Sequence, residues 1–391
     1  MDFYCYAVTA PGIWPFTARE LDALSLPPAG LPAAANKAEQ PPADPGGLDF
    51  RANLAGLYRA NLSLRSASRV LVRLGNFFYA RTFDELRSGA ARLAWERYLH
   101  PGQPIQIRVT CRKSRLYHSD AVAERIGLAI AERLGQACPR PHASSDEEPA
   151  EPAQLIVARL VNDRITLSID SSGQNLHRRG YRLASAKAPL RETLAAAILF
   201  ASGWDKLAPL IDPFCGSGTI PIEAALLALQ IPPGLNRRFA FMDWPNFDRA
   251  LWEDTRQQAI SQQKSDGPIL LASDRDEGAI RMAQANAERA GVAGKIRFER
   301  QAVSAIQPPA QAGWIVCNPP YGERVSANQD LRNLYAQLGN VLRVQCPGWN
   351  VSILSSDPAL LGQTRLRLET SVRLINGGLP VLLGQAKIPP A

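Results

Sequence analysis

An α/β fold, with a doubly wound and mostly parallel sheet preceded by an α+β region, is what the sequence predicts. Three observations carry this. From about Leu190 short apolar strands alternate with amphipathic helices, the pattern of parallel strands joined by crossover helices. A glycine-rich turn sits between one of those strands and its helix. Upstream, strands and helices mix without that alternation.

In chain order, Phe3–Thr9 reads as a strand and Pro15–Leu26 as a helix. Residues 27–47, rich in Pro, Ala and Gly, read as a loop. Leu86–Leu99 has helical spacing, Gln106–Thr110 alternates like a strand, and Ser119–Leu134 forms an apolar stripe at helical period. The Pro-, Ser- and acid-rich stretch 139–153 reads as a second loop. Leu155–Leu160 and Arg164–Ile169 pair as a hairpin across Val161-Asn162-Asp163. Then come a helix over Leu190–Ser202, a strand over Ala208–Ile211, the glycine turn and a helix through Leu229. Strand Ile269–Ala272, helix Glu277–Ala290 stopped by Gly291, and strands Ile296–Arg300, Trp314–Cys317 and Val351–Leu354 complete the reading.

Composition narrows the function classes. A chain of 391 residues exceeds a single core, so two or three domains are expected. Its 46% apolar and 20% charged content is that of an ordinary globular protein, with no apolar run of membrane-spanning length. The opening Met1-Asp2-Phe3-Tyr4-Cys5 has no basic n-region or signal-like apolar stretch. Six scattered cysteines form no Cys-x-x-Cys pair and lie near no His cluster. A disulfide framework and a metal site are therefore not expected, and the cytoplasm is. Net charge is +8, and residues 51–140 alone hold 16 Lys/Arg against 6 Asp/Glu. That is the footprint of a polyanion-binding module, although a solvated basic surface gives the same count.

Two motifs carry the chemistry, and both fall at strand ends, where such sheets bind ligands. Asp212-Pro213-Phe214-Cys215-Gly216-Ser217-Gly218-Thr219 joins a strand to a helix. Its glycines let the backbone approach a ligand, but the third glycine of the dinucleotide fingerprint and the Gly-Lys-Ser/Thr of a phosphate loop are absent. A carboxylate at Asp212 repels phosphate and suits a cation such as S-adenosylmethionine, with its ammonium and sulfonium. Asp274, ending the next strand, suits ribose hydroxyls, whereas Asp276 suits a helix N-cap. The long gap between glycines and acid reflects an insertion over 231–266, which either touches substrate or covers the sheet edge. Asn318-Pro319-Pro320-Tyr321 follows strand Trp314–Cys317. Consecutive prolines hold an extended backbone without amide donors. The Asn318 side-chain oxygen and the Pro319 carbonyl are then free to accept the two hydrogens of an exocyclic base amine, with Tyr321 stacking on the base.

With these motifs in place, the chain resembles class I amino-methyltransferases of the Asn/Asp-Pro-Pro-Tyr type. It is most similar to the bacterial family that couples a THUMP RNA-binding domain to such a catalytic domain. The resemblance also runs through Arg112-Lys113-Ser114-Arg115-Leu116-Tyr117-His118-Ser119, Leu176-His177-Arg178-Arg179-Gly180-Tyr181-Arg182, Ala188-Pro189-Leu190-Arg191-Glu192-Thr193 and Gly322-Glu323-Arg324. It implies a ferredoxin-like portion over 1–50, a THUMP domain over 51–171, a linker over 172–188 and a Rossmann-like methyltransferase domain over 189–391. It further implies S-adenosylmethionine held by the glycine loop and Asp274, and methylation of guanine N2 in 23S ribosomal RNA. RNA contacts would come from Arg112, Lys113, Arg115, Tyr117 and His118, read as the opening of a helix. His177–Arg182 is either an RNA contact or a linker pairing with local acids. Where the family places an adenine-binding Asp, this chain has Gln301-Ala302-Val303-Ser304, which leaves a backbone carbonyl or Ser304 for that contact. The motif alone also fits tRNA guanine N2 or adenine N6, and a non-catalytic RNA-binding assembly factor is the reading from another class.

Overall fold

The computed structural model describes residues 2–29, 46–140, 153–182, 190–321 and 331–390. Most of the two expected loops, the end of the expected linker, Ala188-Pro189 and Gly322-Glu323-Arg324 lie outside the described residues.

One mixed sheet gathers the first part of the chain. Its elements are β1 (Phe3–Val8), α1 (Trp14–Ala23), β2 (Gly47–Ala52), α2 (Leu54–Ser63), β3 (Arg69–Arg73) and β4 (Phe78–Tyr79). They continue with α3 (Phe83–Ala91), β5 (Ile105–Arg112), α4 (Ser119–Leu134), β6 (Gln154–Val161) and β7 (Arg164–Asp170). The strand order is β2-β1-β3-β7-β6-β5, and β4 pairs with the start of β7. A division after residue 50 thus falls inside β2, which pairs with β1 throughout. Helix α4 buries Val122, Ile126, Ala129 and Ile130, the i, i+4, i+7, i+8 stripe of one helical face, and ends at Gly135 with φ 71°. The β6–β7 hairpin turns on Asn162 and Asp163, both at positive φ, which matches the twist of the paired strands.

The helical spacing over Leu86–Leu99 is interrupted. Helix α3 ends at Ala91, and Trp95–Arg97 forms a separate 3₁₀ turn. The fully buried Trp95 turns its indole inward to donate to the Ala90 carbonyl at 2.8 Å.

The second sheet is the doubly wound one. It comprises α5 (Glu192–Ala201), β8 (Leu210–Asp212), α6 (Thr219–Ala228), α7 (Arg249–Ser261), β9 (Leu270–Asp274), α8 (Glu277–Arg289) and β10 (Arg297–Arg300). Next come β11 (Trp314–Cys317), α9 (Leu331–Gln345), β12 (Asn350–Ser355), α10 (Pro358–Gln363), β13 (Glu369–Asn376) and β14 (Leu379–Lys387). The order is β10-β9-β8-β11-β12-β14-β13, with β14 alone running antiparallel to its neighbours. The direction of winding reverses between β8 and β11, the switch point at which such sheets form their ligand crevice, outside the carboxyl ends of the strands. Strand β8 starts two residues later than its apolar run, after Pro209, which has no amide to donate, and the Ala208 carbonyl accepts from the Trp204 indole at 2.9 Å.

The insertion at 231–266 packs in its first part against the N-terminal unit. Phe239, Phe241, Trp244 and Trp252 join the core of the N-terminal sheet. Tyr58 stacks on Phe241 at 4.5 Å and Tyr98 meets Trp244 edge-on at 5.0 Å. Polar contacts fasten the seam: the Trp244 indole donates to Gln154 at 2.9 Å, and the Asp248 amide donates to the Tyr58 hydroxyl at 3.0 Å. Arg237 donates to the carbonyls of Ser172, Gln174, Asn175 and Arg178. The segment is a clamp between the two units.

Candidate active site

The two sequence motifs meet at that reversal. Asp212 ends β8 and Asn318 follows β11, its parallel neighbour, while Asp274 ends β9 on the other side. Gly216 and Gly218 both adopt left-handed backbone, at φ 50° and 84°. At Gly218 an added Cβ would lie 3.0 Å from the Ala283 Cβ, so the loop is pressed against α8. Gly216 faces open space. Its amide donates to one Asp274 oxygen at 3.1 Å, and the Asp276 amide donates to the other at 3.0 Å. Asp274 is therefore oriented by backbone while remaining partly exposed, with lone pairs to spare. Asp276 caps α8 through the Ala279 amide at 2.7 Å, as its position in the sequence implies.

Asp212 is 1% exposed, and the Phe214 amide donates to it at 3.1 Å. Burial, then the Asp274 charge, push its carboxyl up to about 8. A buried carboxyl held neutral at the lip of a crevice is one that a bound cation would ionise. Burial also pushes the Cys215 and Cys317 thiols well up, which disfavours the thiolate in both. Phe214 and Ser217 line the turn half-buried. The Ser217 carbonyl accepts from Asn286, a buried α8 residue that the sequence reading missed, at 2.9 Å.

The Asn318 side-chain oxygen is buried and accepts no hydrogen bond from the described residues. Such a group is costly unless a ligand meets it. Pro319 is buried and Pro320 half-buried beside it. Tyr321 is only 8% exposed and its hydroxyl accepts from Asn376 at 2.8 Å. Its ring packs in the catalytic core, so stacking on a base requires it to give up part of that cover. Asn376, which closes β13 before Gly377 and Gly378, carried no sequence signal because it lies 55 residues from its partner.

At the expected adenine end, Gln301 donates its amide to the Asp274 carbonyl at 3.0 Å, Val303 is buried and Ser304 is exposed. The donor set fits S-adenosylmethionine: a neutral buried acid for the ammonium, a glycine cradle for the backbone approach and an oriented carboxylate for ribose. Among the described residues no three His, Cys, Asp or Glu gather to hold a metal, and no helix is long and apolar enough to cross a membrane.

Arg112, Lys113, Arg115, Tyr117 and His118 lie on the other sheet, away from this crevice. They do not open a helix: Arg112 ends β5, residues 113–117 form a loop, and α4 starts at Ser119 with His118 as its N-cap. Lys113 sits at φ 51°, and Asp163 accepts from the Arg115 amide at 2.7 Å, which latches the loop to the β6–β7 turn. Tyr117 is 68% exposed and packs on His118 at 4.1 Å. The same sheet end presents Phe77 and Tyr79, 51% and 65% exposed, with Arg164 lying over Phe77 at 4.8 Å. Arg81 reaches Asp163 at 3.2 Å and neutralises it. Neither aromatic was marked by periodicity, since β4 is two residues long.

Comparison with known proteins agrees with this geometry. A family profile described as an RMKL-like methyltransferase domain matches residues 179–383, a THUMP domain profile matches 80–170, and an RlmL ferredoxin-like domain profile matches 4–71. A candidate RNA methyltransferase of Synechocystis is 36% identical over 97% of this chain and 95% of its own length. The ribosomal RNA large subunit methyltransferase K/L of Methylococcus capsulatus is 35% identical over 100% of this chain, which spans only 51% of that relative. A crystal structure of a candidate methyltransferase complexed with SAH superposes with a TM-score of 0.84 at 30% identity, covering 100% of this chain and 98% of that one.

Proposed function

The chain belongs to the RMKL-like methyltransferase family with a THUMP domain ahead of the catalytic one, and from that premise we propose that it methylates the exocyclic N2 amine of a guanine in 23S ribosomal RNA in the cytoplasm. The cofactor of this family is S-adenosylmethionine, which supplies a sulfonium-activated methyl group. The observation that carries the reading is the buried, unpartnered Asn318 oxygen beside the glycine cradle.

An aryl amine is a poor nucleophile because its lone pair is delocalised into the ring. Asn318 and the Pro319 carbonyl accept its two hydrogens and turn that lone pair toward the methyl carbon. The rigid Pro319-Pro320 backbone holds both acceptors in place, so catalysis rests on positioning and electrostatics, with no covalent enzyme intermediate. Tyr321, anchored by Asn376, closes the base side of the crevice. Asp212 takes the cofactor ammonium, and Asp274 takes its ribose. Phe214, Cys215, Gly216, Ser217, Gly218 and Thr219 shape the cradle. Arg112, Lys113, Arg115 and His118 meet phosphates, and Tyr117 stacks on an unpaired base, with Phe77, Tyr79, Arg81 and Arg164 extending that surface. The large-subunit RNA reading draws on the K/L relatives.

Nucleosides from large-subunit rRNA of a deletion strain and its parent test the reading. Loss of one N2-methylguanosine is the expected result. Unchanged N2-methylguanosine, or a loss confined to tRNA, would refute it.

A further inference from the structure

The junction stretch Leu176–Arg182 is turned into the protein. Leu176 is 1%, Arg179 4% and Tyr181 3% exposed. Gly180 takes φ 94° and lets the chain pass the Asn236 carbonyl. Arg179 donates to the Arg65 carbonyl on the N-terminal unit at 2.6 Å and pairs with Glu223 of α6 at 3.5 Å. Arg65 in turn donates to the Leu226 and Ile231 carbonyls at 3.1 and 2.6 Å. Among sequence-level alternatives, the linker pairing with local acids is the one the geometry supports.

The far end of this stretch reaches the glycine loop twice. The Arg182 guanidinium, 12% exposed, donates to the Thr219 hydroxyl at 2.5 Å and to the Leu190 carbonyl at 3.1 Å, with Glu192 at 3.6 Å. Thr219 is the first residue of α6, directly after Gly218. Independently, Arg289 of α8 donates to the Tyr181 carbonyl at 2.6 Å and to Asn286, whose amide holds the Ser217 carbonyl. The loop is thus pinned at Ser217 and at Thr219, on either side of the left-handed Gly218.

We propose that Arg182 is a positioning residue for the cofactor loop, fixing the Gly218–Thr219 backbone through the Thr219 hydroxyl. The proposal rests on the reading that this loop holds S-adenosylmethionine. A left-handed glycine gives a loop no intrinsic preference for its ligand-ready shape, and an arginine clamped by a carboxylate and a carbonyl supplies that preference. The benefit falls on cofactor affinity, because a preorganised loop loses less freedom on binding.

The test is a double-mutant cycle on the full chain, with S-adenosylhomocysteine as the calorimetric probe. Arg182→Met and Thr219→Val each remove one side of the same charge-assisted hydrogen bond. Each is expected to weaken binding by about 10- to 100-fold, and the double variant by no more than the worse single. In turnover, Arg182→Met raises KM for the cofactor while kcat at saturating cofactor stays within about twofold. Additive losses in the cycle, or wild-type affinity in Arg182→Met, overturn the proposal. So does a fall in kcat without a rise in KM, which marks a general structural defect. Because Arg182→Met strands Glu192, the pair Arg182→Met/Glu192→Gln provides the folded control and is expected to show the same loss. Asp274→Ala separates the two levels of inference. If it abolishes binding while Arg182→Met does not, only the positioning role fails. If it leaves binding intact, the assignment of the loop to the cofactor fails.

Discussion

Replacing Asn318 by alanine should separate turnover from stability in an unusual direction. The Asn318 oxygen is buried and accepts nothing from the described residues. A buried unmet acceptor costs about 1–3 kcal/mol, so removing it offsets the packing lost from a half-buried side chain. Unfolding free energy should therefore stay within about 1 kcal/mol of wild type. Catalysis should not stay close. Loss of one preorganised polar contact to the reacting group costs about 2.7–4 kcal/mol in the transition state, or about 10²–10³ in kcat. Affinity for S-adenosylhomocysteine should change less than threefold, since the cradle lies on β8 and β9. Single-turnover methyl transfer to rRNA, urea unfolding and calorimetry on one preparation read all three. If unfolding free energy and cofactor affinity fall in step with kcat, the asparagine is a structural turn residue and the reasoning is wrong. Asn318→Asp keeps an acceptor and should retain more turnover than Asn318→Ala.

Asp212 gives a pH signature. Its carboxyl is raised from 3.8 to about 8, so the folded state holds a proton that the unfolded chain releases first. Stability should fall as pH rises from about 4 to about 8 and level off above. A bound ammonium reverses the preference, so cofactor binding near pH 7 should release a proton and tighten toward about pH 8; calorimetric enthalpies independent of buffer ionisation heat would count against this. Gly218→Ala meets Ala283 at 3.0 Å in a left-handed backbone, whereas Gly216→Ala meets open space. Both carry about 1–2 kcal/mol of conformational strain, so thermal melts should rank Gly218→Ala clearly below Gly216→Ala, and the opposite order would refute the packing argument. Tyr79→Ala and Tyr117→Ala should each weaken binding of an unpaired rRNA fragment by about 5- to 150-fold, from about 1–3 kcal/mol per stacked base. Equal affinity in filter binding, or an equal loss for duplex RNA, would show that these rings do not stack on bases.

The meeting of the two motifs at one sheet edge was largely legible in the sequence because its signals are local. Glycines between a strand and a helix, and prolines after a strand, each report their own backbone geometry, and the alternation of elements places them on one sheet edge. What escaped were relations between distant residues. Asn376 on Tyr321, Asn286 on Ser217 and Arg182 on Thr219 leave no periodic trace, because a hydrogen bond across 37 to 69 residues has no spacing to repeat. Helix α3 ended early for a comparable reason, since Trp95 prefers a distinct turn in which its indole is satisfied. The aromatics of the insertion were visible as residues but not as belonging to the other unit, because hydrophobic pattern reports burial and not the partner. The loop at 113–117 read as a helix start because the charges run straight into a real one.

That clamp of Phe239, Phe241, Trp244 and Trp252 makes the second half of the chain a dependent of the first. Each ring hides about 150–250 Å² of surface, and the wall that covers it is built from residues such as Tyr58 and Tyr98. A fragment cut out from residue 190 onward would carry every residue of the crevice and still present four bare rings to water. Removing the N-terminal half would therefore not release a free-standing catalytic domain. It would yield an aggregating one, because the surface that covers these rings would be gone.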